Sequence, residues 1–337
     1  MRPQVYSGAD IRGNAMLFRR DLLAASAAAL ALAHLPRAWA QQQLSNLNVF
    51  IPASPGGGWD GLGRAIELVA RPAGLVGTFQ FENVGGAGGV VGLPRFVSQR
   101  RGRGDAIMVA GAVMVGAVLT NKSPVGMKDL VPLARMTDES PIIVVPASSP
   151  YKTIADLLAA LKADPGKVPV GGGSAGGIDH ITLGLMLKAL GKSAKQASYV
   201  AFAGGGPAQA ALLGAQVAAG ISGYSEFSEQ VKAGRLRALA TASEKRVLPD
   251  VPTLRESGVD VVVGNWRGVF GPPGISATQK AALVKFLTDL NALPAWEKLL
   301  AERGWDNAFL AGPAFEEFIK KDTESTEVVL KEIGLIA

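Results

Sequence analysis

Short apolar runs alternate with segments of helical periodicity along most of the chain. The runs LNVFIP, TFQFEN, AIMVAG, PIIVVP, KVPVGG, ASYVAF, AAGIS, RLRALATA and VDVVV predict short buried strands. Between them, segments such as GLGRAIELVARPA, TIADLLAALKA and DHITLGLMLKALG predict helices. Two longer charged segments, at residues 277–304 and 312–335, predict helices that cover a sheet. The alternation indicates an α/β fold with mainly parallel sheets and crossover helices.

The first 40 residues have the pattern of an export signal. An arginine pair at 19–20 precedes an apolar stretch at 22–35, and an A-x-A cleavage signature at 38–40 precedes Gln41. The apolar stretch is short for a membrane span, which needs about 20 residues, although an uncleaved anchor is the alternative. The arginine pair resembles a twin-arginine signal, and Sec export is equally compatible. We therefore expect a signal peptide over residues 1–40 and a periplasmic mature protein.

Removing this segment changes the charge. The segment contains five arginines and two aspartates, a net charge of +3, so it accounts for half of the formal net charge of +6. The remaining sequence has no basic stripe interleaved with aromatic residues, which argues against nucleic-acid binding. The sequence has no cysteine and only two histidines, of which only His180 lies outside the signal. Thiol nucleophiles and Cys-ligated or His-rich metal sites are excluded, and we expect neither a metal nor a cofactor.

Three glycine-rich loops follow predicted strands. PASPGGGWD (52–60) follows the first strand of the mature chain, GGGSAGGIDH (171–180) follows KVPV, and FAGGGPAQ (202–209) follows ASYV. In open α/β sheets, ligands bind at the carboxyl ends of strands, beside helix N-termini. Because the first two loops hold equivalent places in the two halves of the chain, they predict two lobes that face each other across a cleft.

The first loop has the chemistry of an anion site. It lacks the Lys-Ser/Thr of a P-loop and the spacing of a dinucleotide fingerprint. We expect the N–H groups of Gly56, Gly57 and Gly58 to approach a carboxylate, because glycine has no Cβ to hold it away. Trp59 would form an apolar wall, and Asp60 would either orient ordered waters or cap the following helix. The alternative interpretation is a tight strand-to-helix turn with a purely structural role.

The second loop repeats this device with a hydroxyl group. Ser174 can donate a hydrogen bond to a carboxylate, and the following helix adds its N-terminal field. Asp179 and His180 would serve as the acid and base of a secreted enzyme that acts on carboxylated substrates. Because no G-x-S-x-G motif, partner base or metal set accompanies His180, we interpret it as structural. Tyr224 is expected to reach the cleft, whereas Glu226 is interpreted as part of a capped helix start.

Several motifs together resemble those of a known family. PASPGGGWD, FENVGGAGG, GGGSAGGIDH, FAGGGPAQAALLGAQVAAGISGYSEFSEQVKAGRLRALA and NWRGVFGPPG are similar to successive motifs of the tripartite tricarboxylate transporter solute-binding proteins, the Bug receptors. The resemblance implies a two-lobed, type II-like periplasmic binding protein, in which each lobe is a mainly parallel sheet flanked by helices. It also implies two crossover strands between the lobes. We expect lobe 1 to comprise residues 41–141 plus 264–337, and lobe 2 to comprise residues 142–263.

The resemblance further implies a small organic ligand, a di- or tricarboxylate, held largely by backbone N–H groups. The residues expected to bind it are Pro55, Gly56, Gly57, Gly58, Trp59, Asp60, Gly173, Ser174, Ala175, Gly176, Gly177, Asp179, His180, Gly204, Gly205, Gly206 and Tyr224. No catalytic residue is expected, and the ligand would be delivered to integral membrane transporter subunits. We expect the receptor to be a monomer. Two alternatives are the secreted enzyme described above and a structural envelope protein, and the latter leaves the glycine loops unexplained.

Overall fold

Two β-sheets, each flanked by helices, make up residues 44–337, the part of the chain that the computed structural model describes. The predicted signal peptide and its cleavage site lie outside these residues. The first sheet contains β1 (Leu44–Ile51), β2 (Val76–Asn83), β3 (Ala106–Gly111), β4 (Val131–Asp138), β10 (Arg267–Gly271) and β11 (Asp306–Ala311), in the order β11-β4-β10-β3-β1-β2. The second contains β5 (Pro141–Pro146), β6 (Val170–Gly172), β7 (Tyr199–Ala201), β8 (Ala219–Gly223) and β9 (Leu236–Thr241), in the order β7-β6-β8-β5-β9.

Helices cover both sheets. Those of the first sheet are α1 (Gly58–Ala70), α2 (Leu93–Gln99), α3 (Ala112–Thr120), α8 (Ala277–Asn291), α9 (Pro294–Arg303) and α10 (Pro313–Glu332). Those of the second sheet are α4 (Ile154–Ala163), α5 (Ile178–Ala189), α6 (Gly205–Leu213) and α7 (Tyr224–Lys232). The first sheet and its helices form lobe 1, and the second sheet and its helices form lobe 2. Among residues 44–337, no helix is long and apolar enough to cross a membrane.

Both sheets are mixed, and four strands of each run in the same direction, in line with the predicted fold class. In lobe 1, β1 to β4 run in one direction while β10 and β11 run against them. In lobe 2, β6 to β9 run in one direction and β5 runs against them. Both β5 and β10 follow a crossing of the chain from the other lobe. Each enters its sheet beside the C-terminal ends of the neighbouring strands. It therefore runs antiparallel to them, and no crossover helix is needed.

The two sheets nevertheless share one topology. The reversed strand β10 lies between β3 and β4, and the reversed strand β5 lies between β8 and β9. In this correspondence β1 matches β6, so the loops that follow these two strands occupy equivalent places at the cleft. The two-lobed α/β architecture predicted from the sequence is confirmed.

Each lobe has its own apolar core. Alternate residues of β5 point to opposite faces of the second sheet, because side chains alternate along a strand. Ile143 and Val145 pack on one face, and Ile142 and Val144 on the other. In lobe 1, one continuous cluster joins the sheet to α1, α8 and α9.

The chain crosses between the lobes twice. Residues 139–140 connect β4 to β5, and residues 242–266 connect β9 to β10. The two crossings touch, since the Asn265 N–H donates to the Glu139 carbonyl over 2.9 Å. The predicted division of the chain at residues 141 and 264 stays a prediction, and the membership of the strands in the two sheets is compatible with it.

Eight of the predicted strands are present, but VDVVV is not a strand. Residues 259–263 run beside the second sheet with Val259 and Val261 buried, and they pair with no strand in the described part of the chain. Residues that are alternately buried and exposed but form no β-ladder therefore have the same sequence pattern as a strand. Conversely, β4, β10, β11 and helix α3 lie outside the predicted elements. Helix α3 was not predicted because AVMVGAVLT is apolar on almost every side and lacks helical periodicity.

Candidate functional site

The first glycine loop connects β1 to α1 at the cleft. Gly56 has φ of +82°, and Gly57 is the N-cap of α1 with φ −80° and ψ 169°. The Gly57 N–H donates to the Ser54 carbonyl over 3.4 Å. The helix therefore begins at Gly58, in an orientation that points its free N-terminus at the cleft.

The second glycine loop has nearly the same backbone geometry between β6 and α5. Gly176 has φ of +77°, and Gly177 is the N-cap of α5 with φ −74° and ψ 176°. The Gly177 N–H donates to the Ser174 carbonyl over 3.0 Å. Gly56 and Gly176 occupy a left-handed conformation that favours glycine, which explains why both loops need this residue at the same point. The two loops are structural copies of one another.

The third residue of each helix folds back onto its loop. Asp60 Oδ2 accepts a hydrogen bond from the Gly56 N–H over 3.1 Å, and His180 Nδ1 accepts one from the Gly176 N–H over 3.2 Å. Asp60 Oδ1 also accepts from Asn83 Nδ2 over 3.0 Å. Asp60 is therefore not the N-cap of α1, because that position belongs to Gly57. Asp60 and His180 each hold a loop in shape.

A cavity lies between the two loops and is bounded by both lobes. Its volume is about 60 Å³. It is lined by Pro52, Ala53, Gly57, Gly58, Trp59, Gly86, Gly88, Gly89, Val113, Gly173, Ser174, Asp179, Ala203, Gly204, Gly205, Ser222, Glu226, Asn265 and Arg267. Trp59 is 6% exposed and lines the cavity with an apolar surface.

Two hydrogen bonds cross the cleft at this cavity, and each joins a glycine N–H of lobe 1 to a side chain of lobe 2. The Gly58 N–H donates to Glu226 Oε1 over 2.8 Å. The Gly88 N–H donates to Ser174 Oγ over 2.5 Å. The lobes are therefore in direct polar contact at the point where the sequence predicted a ligand.

Charged side chains form the floor of the cavity. Arg267, on β10, pairs with Glu139 through Nη2 and Oε2, which are 2.5 Å apart. Glu226, in the first turn of α7, approaches the same guanidinium, and its Oε2 accepts a hydrogen bond from Ser222 Oγ over 2.5 Å. Burial raises the pKa of Glu226, although the positive charge of Arg267 counteracts this shift.

Asp179 lies on the lobe 2 side of the cavity. Its Oδ2 accepts a hydrogen bond from the Gly173 N–H over 2.6 Å, and the residue is 5% exposed. Burial raises the pKa of Asp179 to about 7, despite the opposing effect of that hydrogen bond. The carboxylates of Glu226 and Glu139 add to the rise, so a proton on Asp179 relieves negative charge in the cavity.

His180 makes contacts different from those of Asp179. Its ring stacks on Tyr199 with centroids 4.2 Å apart and planes 4° apart. Burial lowers the pKa of His180 to about 4, so the ring is neutral at pH 7. The Tyr199 hydroxyl donates to the Gly173 carbonyl over 2.6 Å, which ties this stack to the second loop.

The structure brings together about half of the predicted ligand-binding residues. Those that line the cavity are Gly57, Gly58, Trp59, Gly173, Ser174, Asp179, Gly204 and Gly205. Those that support the loops or lie beside them are Pro55, Gly56, Asp60, Ala175, Gly176, Gly177, His180 and Gly206. Tyr224 packs beside Gly304 and is not among the lining residues.

Sequence reasoning missed the charged floor and one wall of the cavity. Gly86, Gly88 and Gly89 belong to the motif FENVGGAGG, and Asn265 and Arg267 belong to NWRGVFGPPG. Both motifs entered the family resemblance, but neither suggested a contact with the cleft. The sequence feature that indicates a buried charged group is the single arginine within the otherwise apolar run WRGVFG, because a charge in a buried strand requires a buried partner.

Comparison with known proteins gives a family match over most of the chain. Residues 72–335 match the model of the tripartite tricarboxylate transporter family receptor. A protein of Cupriavidus necator, called the UPF0065 protein in the gbd 5′ region, is 27% identical over 328 residues. That similarity covers 93% of this chain and 95% of the relative.

Two solved structures share the fold. The periplasmic binding protein BugD is 25% identical, with a TM-score of 0.78, and the match covers 86% of this chain and 98% of BugD. MatC from Rhodopseudomonas palustris, solved with bound malate, is 22% identical, with a TM-score of 0.74 and coverage of 85% and 99%.

Proposed function

The chain belongs to the receptor family of the tripartite tricarboxylate transporters, and from this premise we propose that it captures a small organic carboxylate in the periplasm. The ligand is a di- or tricarboxylate that binds between the lobes. The bound receptor delivers it to integral membrane transporter subunits. The receptor acts as a monomer, after removal of residues 1–40 by the Sec or twin-arginine route.

The observation that supports this function most directly is the pair of copied loops around one cavity. Each loop places the N-terminus of a helix, α1 or α5, at the cleft, and helix N-termini stabilise negative charge. Trp59 supplies an apolar wall, and Arg267 supplies a buried positive charge. A carboxylate with a short carbon chain matches this combination of groups.

The geometry also favours a receptor over a secreted enzyme. An enzyme of this kind would use Asp179 and His180 as an acid–base pair. In the structure Asp179 accepts from Gly173 while His180 accepts from Gly176 and stacks on Tyr199, so the two side chains serve different parts of the loop. This arrangement gives His180 a structural role.

The two hydrogen bonds across the cleft indicate that the lobes separate to admit a ligand at these groups. The hydrogen bonds that the Gly58 and Gly88 N–H groups donate to Glu226 and Ser174 would have to open. Such closure around a ligand, by rotation of two domains about connecting segments, is a common mechanism of binding proteins. The two crossings at residues 139–140 and 242–266 supply the connecting segments.

A thermal-shift screen of the mature protein tests this function. The panel should include malate, succinate, adipate and citrate, with glucose and lysine as controls of other chemistry. A ligand present at 100 times its dissociation constant should stabilise the protein by about 2.7 kcal/mol. Stabilisation by at least one acid, without its turnover over hours, supports the receptor. Turnover of an acid, or a response to none of a wide range of carboxylates, contradicts it.

A further inference from the structure

The N–H groups of the first loop are already paired within the protein. Gly56 donates to Asp60 and Gly57 donates to the Ser54 carbonyl, so both use acceptors of the same loop. The Gly58 N–H donates instead to Glu226, which is 168 positions away and belongs to lobe 2. Of these three donors, only the Gly58 N–H is released when the lobes separate.

The Glu226 carboxylate occupies the place predicted for an anionic ligand. It meets the N-terminus of α1 through Gly58, and it lies in the first turn of its own helix, α7. It also touches the start of α6 closely enough that a Cβ on Gly205 would overlap it. Three helix N-termini therefore converge on one carboxylate, which is a favourable environment for negative charge.

A second observation points to a ligand at the same place. Arg267 is 1% exposed, and its Nη1 has no hydrogen-bond partner in the structure. Asn265 is 5% exposed, and its Oδ1, which needs a donor and not a carboxylate oxygen, is also unpaired. Both residues line the cavity beside Glu226. Unpaired buried polar groups are costly, so a group that supplies acceptors to Arg267 would be stabilised here.

Two negative charges cannot share this site favourably. An incoming carboxylate would meet Glu226 within a few ångströms, with Glu139 already paired to the one guanidinium. Like charges in a buried site repel strongly. Either the ligand binds elsewhere in the cavity, or it displaces the Glu226 carboxylate from the Gly58 N–H.

We propose that the Glu226 carboxylate occupies the place of the ligand carboxylate when no ligand is bound. Its hydrogen bond from the Gly58 N–H holds the lobes together until a ligand carboxylate replaces it. The replacing carboxylate accepts from the Gly58 N–H and from Arg267 Nη1. This inference rests on the proposed function, because it assumes an anionic ligand. Under this proposal Glu226 lowers the affinity for the ligand, because every ligand must displace a charged acceptor from the Gly58 N–H.

The test compares Glu226→Ala with Glu229→Ala. Glu229 lies on the same helix but is exposed and pairs with the exposed Lys232. Since the sequence has no cysteine, the substitutions Leu68→Cys and Lys167→Cys allow one label on each lobe, at exposed positions. The distance between the labels is measured without ligand, and malate affinity is measured by calorimetry.

We expect Glu226→Ala to lengthen or broaden the distance between the labels and to bind malate about tenfold more tightly, because the competing acceptor is gone. Glu229→Ala should change neither quantity. An unchanged label distance, or malate affinity that is equal or weaker in Glu226→Ala, overturns the proposal.

The two hypotheses can fail separately. If malate binds neither the parent protein nor the variant, the result counts against malate as a ligand, and the label distance alone decides on Glu226. If Glu226→Ala does not fold, Glu226→Gln replaces it. The amide oxygen can still accept a hydrogen bond from the Gly58 N–H but lacks the charge. We therefore expect a gain in malate affinity that is smaller than the tenfold gain expected for Glu226→Ala. The absence of any gain contradicts the proposal.

Discussion

The Glu139 carboxylate and the Arg267 guanidinium form an ion pair in which the two side chains are 1% and 2% exposed. The pair joins the first crossing between the lobes to the strand that follows the second, because Glu139 follows β4 and Arg267 begins β10. Glu139 also accepts hydrogen bonds from the N–H and hydroxyl of Ser225, at the start of α7. One buried carboxylate therefore positions both the cation of the cavity and the helix that carries Glu226.

The first prediction concerns this ion pair. Glu139→Gln removes the carboxylate that pairs with the buried Arg267 guanidinium, so the free energy of unfolding should fall by about 3–5 kcal/mol. Chemical denaturation measures the change. Glu244→Gln is the control, because Glu244 pairs with Arg255 at the surface and should contribute less than about 1 kcal/mol. Equal losses in the two variants would contradict a special role for the buried pair.

The second prediction separates two adjacent glycines of the first loop. A Cβ on Gly58 would lie 2.5 Å from Arg267 Nη2, so Gly58→Ala should lose stability, by about 1–3 kcal/mol, as well as ligand affinity. A Cβ on Gly57 would have its nearest contacts at 3.6 and 3.7 Å, and φ there is −80°. Gly57→Ala should therefore fold normally while narrowing the cavity.

Melting curves and calorimetric titration of both variants check this pair. The expected pattern is weaker binding in both and lower stability in Gly58→Ala alone. Normal binding by Gly57→Ala would place the ligand away from the first loop. Ligand should also change the fluorescence of Trp59, which lines the cavity.

The third prediction is that His180 contributes to folding and does no chemistry. His180→Gln removes the stacking on Tyr199, which should cost about 0.5–1.5 kcal/mol of stability. Ligand affinity should change less than in Gly57→Ala. The measurements are a melting curve and a turnover assay with the carboxylate panel. A turnover activity in the parent protein that His180→Gln abolishes would refute the receptor function.

The fourth prediction concerns the dependence of stability on pH. The pKa of Asp179 is about 7 in the folded protein and near 3.8 ordinarily, so the folded state binds the proton more tightly. The free energy of unfolding should therefore fall as the pH rises from about 4 to about 7. Asp179→Asn should reduce the fall between pH 5 and pH 8 by an amount on the order of 2 kcal/mol.

His180 acts in the opposite direction and supplies the comparison. Its pKa is about 4 in the folded protein and 6.5 ordinarily, so the unfolded state binds the proton more tightly. The free energy of unfolding should fall as the pH drops from about 6.5 to about 4. Urea titrations at pH 5 and pH 8, on Asp179→Asn and His180→Gln separately, distinguish the two effects. The same pH dependence in Asp179→Asn as in the parent would exclude a raised pKa at Asp179.

The fifth prediction concerns the N-terminus, outside the residues that the structure describes. The A-x-A signature at 38–40 predicts a mature chain that begins at Gln41. Intact-mass measurement of protein isolated from the periplasm gives the start directly. A mass that includes residues 1–40 would show that the segment is retained.

The sequence by itself determined the local parts of this protein. Apolar runs identified eight strands, and the glycine loops marked the two strand-to-helix turns that frame the cavity. These features depend on neighbouring residues: the left-handed conformation at Gly56 and Gly176 favours glycine whatever surrounds it. The order of elements was likewise sufficient for a two-lobed α/β fold, together with the family resemblance of the motifs.

Only the tertiary structure decided which groups meet at the cavity. Glu226 has the sequence context of an ordinary helix start, and its partner Gly58 lies 168 positions away. Strand β10 escaped prediction because RGVFG is short and begins with a charge, which Glu139 neutralises only after the two crossings come together. VDVVV misled for the converse reason, since its alternation reflects burial against a neighbouring sheet. Hydrogen bonds and ion pairs between distant segments depend on how the lobes pack, and no local pattern encodes them.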